Sequence, residues 1–456
     1  MSAPTIGFIA LGCAKATVDA ERLLSALRAA GYHFARRAED ADLVIVNTCG
    51  FIEEAIEESL EALREALAGA RYVIATGCLG ARKAWLEAKL PQLTAVFGPE
   101  AYDEVLQTVF RLLPPPRIPD CTHLPPRSLR LTPKHYAWLK IAEGCNHDCS
   151  FCIIPQLRGP LRSRPLHEVV AEAEALVRSG AKELLVVAQD TAAYGMDLRH
   201  RTGFVRGEPM RTDILSLVDA LSRLGVWVRL HYVYPYPFVD ALVQRMREGK
   251  ILPYLDIPLQ HASHRILRRM KRPAAMSGEA MLERIARWRA MVPSLAIRST
   301  FIVGFPGETD EDFADLLDFI EKAELDRVGV FCYSPVEGAA ANAFADPVPK
   351  EEAERRAALL MQRQAEISRA RLARRIGRVE PVLIDGRIDE TTAVGRSPAE
   401  SPEIDGVIAV EDQGQLKPGD LVQVKITDAD EHNLAGVLVE ADTCASLPHS
   451  TATPTG

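Results

Sequence analysis

Short apolar runs alternate with amphipathic helical stretches through the first three quarters of the chain, and this alternation restricts the fold more than any other feature. Strands separated by helices pair in parallel, and right-handed crossovers bring their C-termini to one edge of a sheet. Near the N-terminus three such runs, 6–10, 43–46 and 72–75, lead into Gly12 and Cys13, Cys49, and Gly77 and Cys78. The spacing predicts a helix over 19–30, with Leu23, Leu24 and Leu27 on one face and Gly31 placed to stop it. Cys13, Cys49 and Cys78 are 36 and 29 residues apart, which alone identifies no metal site. Three separate buried thiols acting as small apolar groups remain the alternative. Their common place after parallel strands predicts that they converge.

From 113 to 133 the chain carries Pro114, Pro115, Pro116, Pro119, Pro125, Pro126 and Pro133. Proline removes backbone donors and prevents a regular element, so a linker is expected over 114–133, closing an N-terminal three-layer α/β domain at 4–113. At 456 residues the chain is too long for one core, and further domains must follow. Strand runs at 136–142, 184–188, 227–233, 254–258, 296–303 and 327–333 predict a partial (β/α)6 barrel over 134–375, with chemistry at the strand C-termini. Thr309 and Asp312 form a candidate capping box after the Gly304-Phe305-Pro306-Gly307 turn, and a charged helix over 350–375 closes the barrel. Five β-rich runs at 379–384, 392–396, 406–410, 421–426 and 434–440 then predict a small oligonucleotide-binding-type β-barrel over 376–442. A tail rich in Ser, Thr and Pro, 443–456, is expected to be disordered.

Hydrophobic residues make up 47% and charged residues 25%, and no apolar run approaches the roughly 18 residues of a membrane span, so no membrane role is expected. Residues 1–12 lack a basic stretch followed by an apolar core, which predicts a cytoplasmic protein. In that setting nine cysteines, an odd number, point to metal ligands or catalysis over disulfides.

The segment Glu143-Gly-Cys-Asn-His-Asp-Cys-Ser-Phe-Cys follows the first barrel strand with the spacing C-x3-C-x2-C. Three thiolates on one loop can hold three irons of a four-iron cluster and leave the fourth open. A structural zinc site would need a fourth ligand, for which His147 is the candidate. A ferredoxin-type carrier would need a fourth cysteine nearby, and the next one downstream is Cys332. The spacing, the place after the first barrel strand and Phe151 before Cys152 resemble the radical S-adenosylmethionine superfamily. That resemblance implies a 4Fe-4S cluster on Cys145, Cys149 and Cys152, whose open iron the amino and carboxylate groups of S-adenosylmethionine chelate. It places the adenine near Phe151, matches the turn at Gly304 to the superfamily's glycine-containing motif, and puts Gln189 and Asp190 where the methionine amino group is contacted. The usual Gly-Gly-Glu is absent there.

With the N-terminal cysteines and the small final barrel, residues 4–442 resemble the methylthiotransferases. Leu-Gly-Cys-Ala-Lys at 11–15, Asn-Thr-Cys-Gly-Phe-Ile at 47–52, His-Tyr-Val-Tyr-Pro-Tyr-Pro at 231–237, Tyr-Leu-Asp-Ile-Pro-Leu-Gln-His at 254–261 and Pro-Glu-Ile-Asp-Gly at 402–406 are similar to the branch acting on the β-carbon of an aspartate in small-subunit ribosomal protein S-twelve. The branch acting on transfer RNA adenosine is the alternative. Ala14, Ala16 and Ala20 depart from the usual Pro, Asn and Ser. The resemblance implies a second 4Fe-4S cluster on Cys13, Cys49 and Cys78 that carries sulfur, two S-adenosylmethionine molecules per turnover, and an electron donor such as flavodoxin or ferredoxin. Cys121, Cys332 and Cys444 are not expected to be ligands, and His231 and His261 receive no role.

Charge bears on the substrate. Residues 376–442 hold 15 Asp and Glu against five Lys and Arg, a net of −10, so the rest of the chain, with −8 overall, is near +2. A solvated acidic face would explain this. Attraction to a basic partner would too, whereas an RNA-binding barrel should be basic.

Overall fold

The computed structural model describes residues 3–116, 129–272 and 277–439. Residues 117–128, most of the expected linker with Cys121, and 443–456, the expected tail with Cys444, lie outside the described residues. The chain divides into two compact units, Met1–Ser368 and Arg369–Gly456, so the N-terminal sheet and the (β/α) barrel share one unit.

The first unit opens with β1 (Thr5–Ala10), α1 (Ala14–Ala29), β2 (His33–Phe34), β3 (Leu43–Thr48), α2 (Glu53–Gly69), β4 (Tyr72–Gly77), α3 (Lys83–Lys89), β5 (Ala95–Val96) and α4 (Tyr102–Leu112). The strands form one parallel sheet in the order β2-β1-β3-β4-β5. All six residues of β3 are buried, as a central strand covered on both faces requires. One face packs on Leu60 and Leu63 of α2, the other on Leu23 and Leu27 of α1 and Val105 of α4. The first helix starts at Ala14, five residues before the expected 19, immediately after Cys13. Ala14, Ala16 and Ala20 all lie on it. Alanine is the strongest helix former, and Ala16 and Ala20 are buried, so these small side chains suit both the early start and the packing.

The barrel comprises β6 (Tyr136–Lys140), β7 (Ala142–Glu143), α5 (Ile154–Arg158), β8 (Arg162–Ser163), α6 (Leu166–Arg178), β9 (Glu183–Val187), β10 (Thr202–Val205), β11 (Glu208–Arg211), α7 (Ile214–Ser222), β12 (Trp227–Leu230), α8 (Val239–Arg247), β13 (Tyr254–Asp256), α9 (His264–Arg269), α10 (Gly278–Met291), β14 (Ala296–Val303), α11 (Asp310–Ala323) and β15 (Arg327–Cys332). Its sheet is open and parallel, in the order β15-β14-β13-β12-β9-β6. Each expected strand is present, but the first stops at Lys140. Ala142 and Glu143 instead pair antiparallel with Ser163 and Arg162, which ties the base of the cysteine loop. The hairpin of β10 and β11 was not anticipated. Its turn holds Arg206 at φ 51° and Gly207 at φ 86°, both left-handed, without the Asn-Gly signature that announces such a turn. Thr309 caps α11 in a reciprocal box with Asp312, as expected. The helix α12 (Lys350–Ala373) follows.

The second unit is a closed barrel of β16 (Val379–Arg387), β17 (Thr392–Arg396), β18 (Ile408–Glu411), β19 (Leu421–Ala429) and β20 (Leu434–Leu438), in the order β16-β17-β18-β20-β19. Val382, Ile384, Ile408, Val410, Val424 and Ile426 alternate inward to fill it.

Candidate functional site

Cys145, Cys149 and Cys152 stand on the loop between β7 and α5. Gly144 starts the loop at φ +74°, and a Cβ there would lie 2.1 Å from the Pro160 carbonyl oxygen, so only glycine permits the tie across the loop. The Cys145 N–H donates to Gly159 O at 3.1 Å, the Asn146 side chain accepts from Leu161 N–H at 2.9 Å, and Ser150 Oγ donates to Arg269 O at 2.8 Å. The sulfurs themselves receive donors: His147 N–H on Cys145 at 3.4 Å, Ile154 N–H on Cys152 at 3.5 Å and Arg272 Nη1 on Cys149 at 3.8 Å. The three thiols line one open cavity of about 510 Å³ with His147, Gln156 and Lys271. Burial pushes the Cys145 thiol up to about 11 and the Cys152 thiol up to about 12. Such thiols lose their protons when a metal replaces them.

His147, the candidate fourth zinc ligand, is held by its neighbours. Its ring stacks on Tyr234 with centroids 4.0 Å apart, and its Nε2 lies 2.8 Å from Asp190 Oδ2. Tyr236 donates its hydroxyl proton to the same oxygen at 2.9 Å. Among the described residues no group of three or more His, Cys, Asp or Glu side chains is arranged to hold a single metal ion.

The four expected cofactor contacts fall outside the cavity wall. Phe151 packs against Ile266, Met270 and Phe305. The Gln189 side-chain amide donates to Glu143 at 2.6 Å, while its carbonyl oxygen is buried without a partner. Asp190 is engaged with His147, Tyr236 and the N–H groups of Ala192 and Ala193. At Gly304, φ +70°, a Cβ would come 2.4 Å from that of Ala353, so packing against α12 explains this glycine without a ligand.

The other three cysteines follow the adjacent strands β1, β3 and β4. Cys13 caps α1. Ser59 Oγ grips Cys49 twice, accepting from its N–H and donating to its carbonyl, each at 2.9 Å. The Cys78 N–H donates to Thr48 O at 3.0 Å. Burial would push the Cys13 thiol up, but Lys15, Arg158 and the N–H groups of Ala16 and Lys15 outweigh it and hold the thiol below its ordinary value. Burial dominates for the other two, raising Cys49 and taking Cys78 up to about 11. The three strands are neighbours in the sheet, and a Cβ on Gly12 would lie 3.7 Å from Cys49 Sγ.

A buried charged network runs from Cys78 to Glu143 at the base of the barrel's cysteine loop, and sequence reasoning missed it. Arg158, on the barrel's α5, donates from Nε to Cys78 Sγ at 3.1 Å. Its Nη1 meets both Glu143 oxygens at 2.9 and 3.0 Å and Asp19 at 3.3 Å. Lys140 pairs with Glu143 at 2.8 Å and with Asp19. Burial would raise the Glu143 carboxyl, but Lys140 and Arg158 hold it down at about 2. The available signal was a lysine ending an otherwise apolar strand, Tyr-Ala-Trp-Leu-Lys, because a buried cation demands partners.

Sulfur-only donor sets of three suit an iron–sulfur cluster that keeps one iron open. The N-terminal set adds a second sign of fit: Arg158 Nη2 is buried with no partner.

Three family models match in succession: Uncharacterized protein family UPF0004 over 5–98, the Radical SAM superfamily over 139–320 and the TRAM domain over 376–439. Over 431 residues the chain is 58% identical to the ribosomal protein uS12 methylthiotransferase RimO of Aromatoleum aromaticum, covering 94% of this chain and 97% of that one. The protein of the same name from Cronobacter sakazakii is 55% identical over 440 residues, 96% and 99% of the two chains. Among solved structures, the radical S-adenosylmethionine methyltransferase TsrM from Kitasatospora setae, with cobalamin and a 4Fe-4S cluster bound, superposes with a TM-score of 0.53 at 14% identity, covering 74% of this chain and 77% of that one.

Proposed function

The chain belongs to the ribosomal protein uS12 methylthiotransferase RimO family, and from that premise we propose that it replaces a hydrogen on the β-carbon of a uS12 aspartate with a methylthio group. The observation that carries this reading is the presence, in one compact unit, of two three-thiol sets, with Arg158 of the barrel's α5 donating to Cys78 of the N-terminal set. Cys145, Cys149 and Cys152 would hold one 4Fe-4S cluster, and Cys13, Cys49 and Cys78 the other. When bound, S-adenosylmethionine at the first reduced cluster supplies a 5′-deoxyadenosyl radical, and the second cluster supplies a sulfur that another S-adenosylmethionine has methylated.

The protein's own part is to hold, orient and shield. Main-chain N–H groups and Arg272 donate to the three barrel sulfurs and offset their charge. Asp190 and Tyr236 fix the His147 ring beside Cys145. Gln189 retains the buried, unpartnered carbonyl oxygen that a methionine ammonium calls for. The adenine would lie near Phe151, which precedes Cys152 and packs against Ile266, Met270 and Phe305. Gly304 shapes the turn after β14. Electrons come from a donor of the flavodoxin or ferredoxin kind. No helix among the described residues is long and apolar enough to cross a membrane, and the reaction is assigned to the cytoplasm, where its ribosomal substrate is made.

The acidic residues of 376–442 favour a basic protein over transfer RNA. The test is anaerobic reconstitution with iron and sulfide, followed by incubation with S-adenosylmethionine, a reductant, and either uS12 or transfer RNA. Mass spectrometry should find the methylthio group on a uS12 aspartate. Modification of transfer RNA alone would overturn the reading.

A further inference from the structure

We propose that Arg158 is a positioning residue for the sulfur-delivering site, donating hydrogen bonds through one edge of its guanidinium to the sulfur atoms gathered at Cys13, Cys49 and Cys78. The inference rests on the assignment of a cluster to those thiols and adds to it a donor that comes from the other half of the unit. Arg158 ends α5, six residues beyond Cys152, yet its Nε reaches Cys78 Sγ at 3.1 Å. A guanidinium is planar, and Nη2 shares an edge with Nε. That edge therefore faces the Cys78 sulfur, and Nη2 on it is buried without a partner. Buried N–H groups are almost always satisfied, so an orphan on a sulfur-facing edge calls for an acceptor beside Cys78. An inorganic sulfide of a cluster is such an acceptor.

The remaining contacts look like an aiming device. Glu143 and Asp19 take Nη1, one from the barrel and one from α1, and fix the plane of the group. Lys140 balances the second negative charge, so the network stays near neutral. N–H···S bonds favour the more negative, reduced state of a cluster and raise its potential. Arg158, at the end of the helix that follows one thiol set, thereby sets the position and potential of the other.

The experiment uses the full chain with Cys145, Cys149 and Cys152 changed to Ala, so that iron loads only at the N-terminal site. The midpoint potential is read by a redox titration followed by electron paramagnetic resonance. Pulsed resonance on protein labelled with nitrogen-15 arginine reads the contact directly. Arg158→Lys keeps the cation against Glu143 and Asp19 but has no planar edge. It should lower the potential and abolish the nitrogen-15 coupling, and Arg158→Gln should do the same. If Arg158→Gln does not fold, the lysine variant decides. A potential and coupling unchanged in Arg158→Lys would overturn the proposal. Failure of the underlying assignment looks different: the parent with Arg158 intact would then bind no iron.

Discussion

Asp256 ends β13 with its carboxylate buried between a guanidinium and an imidazole: Arg298 Nη1 lies 3.3 Å and His231 Nδ1 3.4 Å away, and Tyr232 N–H donates at 3.0 Å. Burial would push this carboxyl up, yet the bond from His231 and the charge of Arg298 hold it down at about 2. A depressed acid stabilises the fold above its unfolded value of about 4 and loses that contribution as pH falls toward the folded value. Asp256→Asn should therefore cost about 3 kcal/mol at pH 7 by denaturant unfolding, and the gap from wild type should narrow between about pH 4 and pH 2. Gly77 makes a sharper case for the site. It sits at φ +92°, and a Cβ would fall 2.4 Å from Asn47 Oδ1, so Gly77→Ala must displace Cys78. Iron counting should show the N-terminal iron lost and the barrel iron retained. At this scale the six cysteines could be picked out as candidates, three from their C-x3-C-x2-C spacing and three from their places after strands, and their neighbours could not. Arg158, Asp19 and Lys140 are far apart in sequence, and charge alone does not mark which of 54 Lys and Arg turn inward.

The capping box on α11 is a local device, and local devices can be read from a sequence. Thr309 accepts from Asp312 N–H, and Asp312 accepts from Thr309 N–H at 2.9 Å. Thr309→Ala should lower stability by about 1 kcal/mol in the same unfolding assay. The strand at 296–303 and the strand at 392–396 match their expected bounds because each is a full apolar or alternating run. The two-residue pairing of β7 with β8 has no period to detect, although it ties the loop that carries Cys145. For the same reason β2 and β5, two residues each, escape the pattern, and only the neighbouring strands make them part of a sheet.

Charge acts over the whole molecule. Within the second unit Arg396 is buried against Asp385 and Arg387 pairs with Asp412, so two of the five cations of 376–442 are already neutralised internally. Exposed Glu390, Glu411 and Asp428 contribute to the field that remains. Changing all three to their amides should weaken binding to isolated uS12 on the order of tenfold, and raised salt should erase the difference, as a binding titration can check. The order of the three regions was legible from the change in pattern along the chain. That the first two form one unit was not, because their junction is built from scattered buried charges. The central claim is a division of labour between the two thiol sets, and one paired assay tests it: 5′-deoxyadenosine and methylthiolated uS12 measured together in two triple variants. With Cys13, Cys49 and Cys78 changed to Ala, cleavage of S-adenosylmethionine should persist and the product should vanish. With Cys145, Cys149 and Cys152 changed to Ala, both should vanish. Methylthiolated uS12 from the first variant, or 5′-deoxyadenosine from the second, would contradict the account.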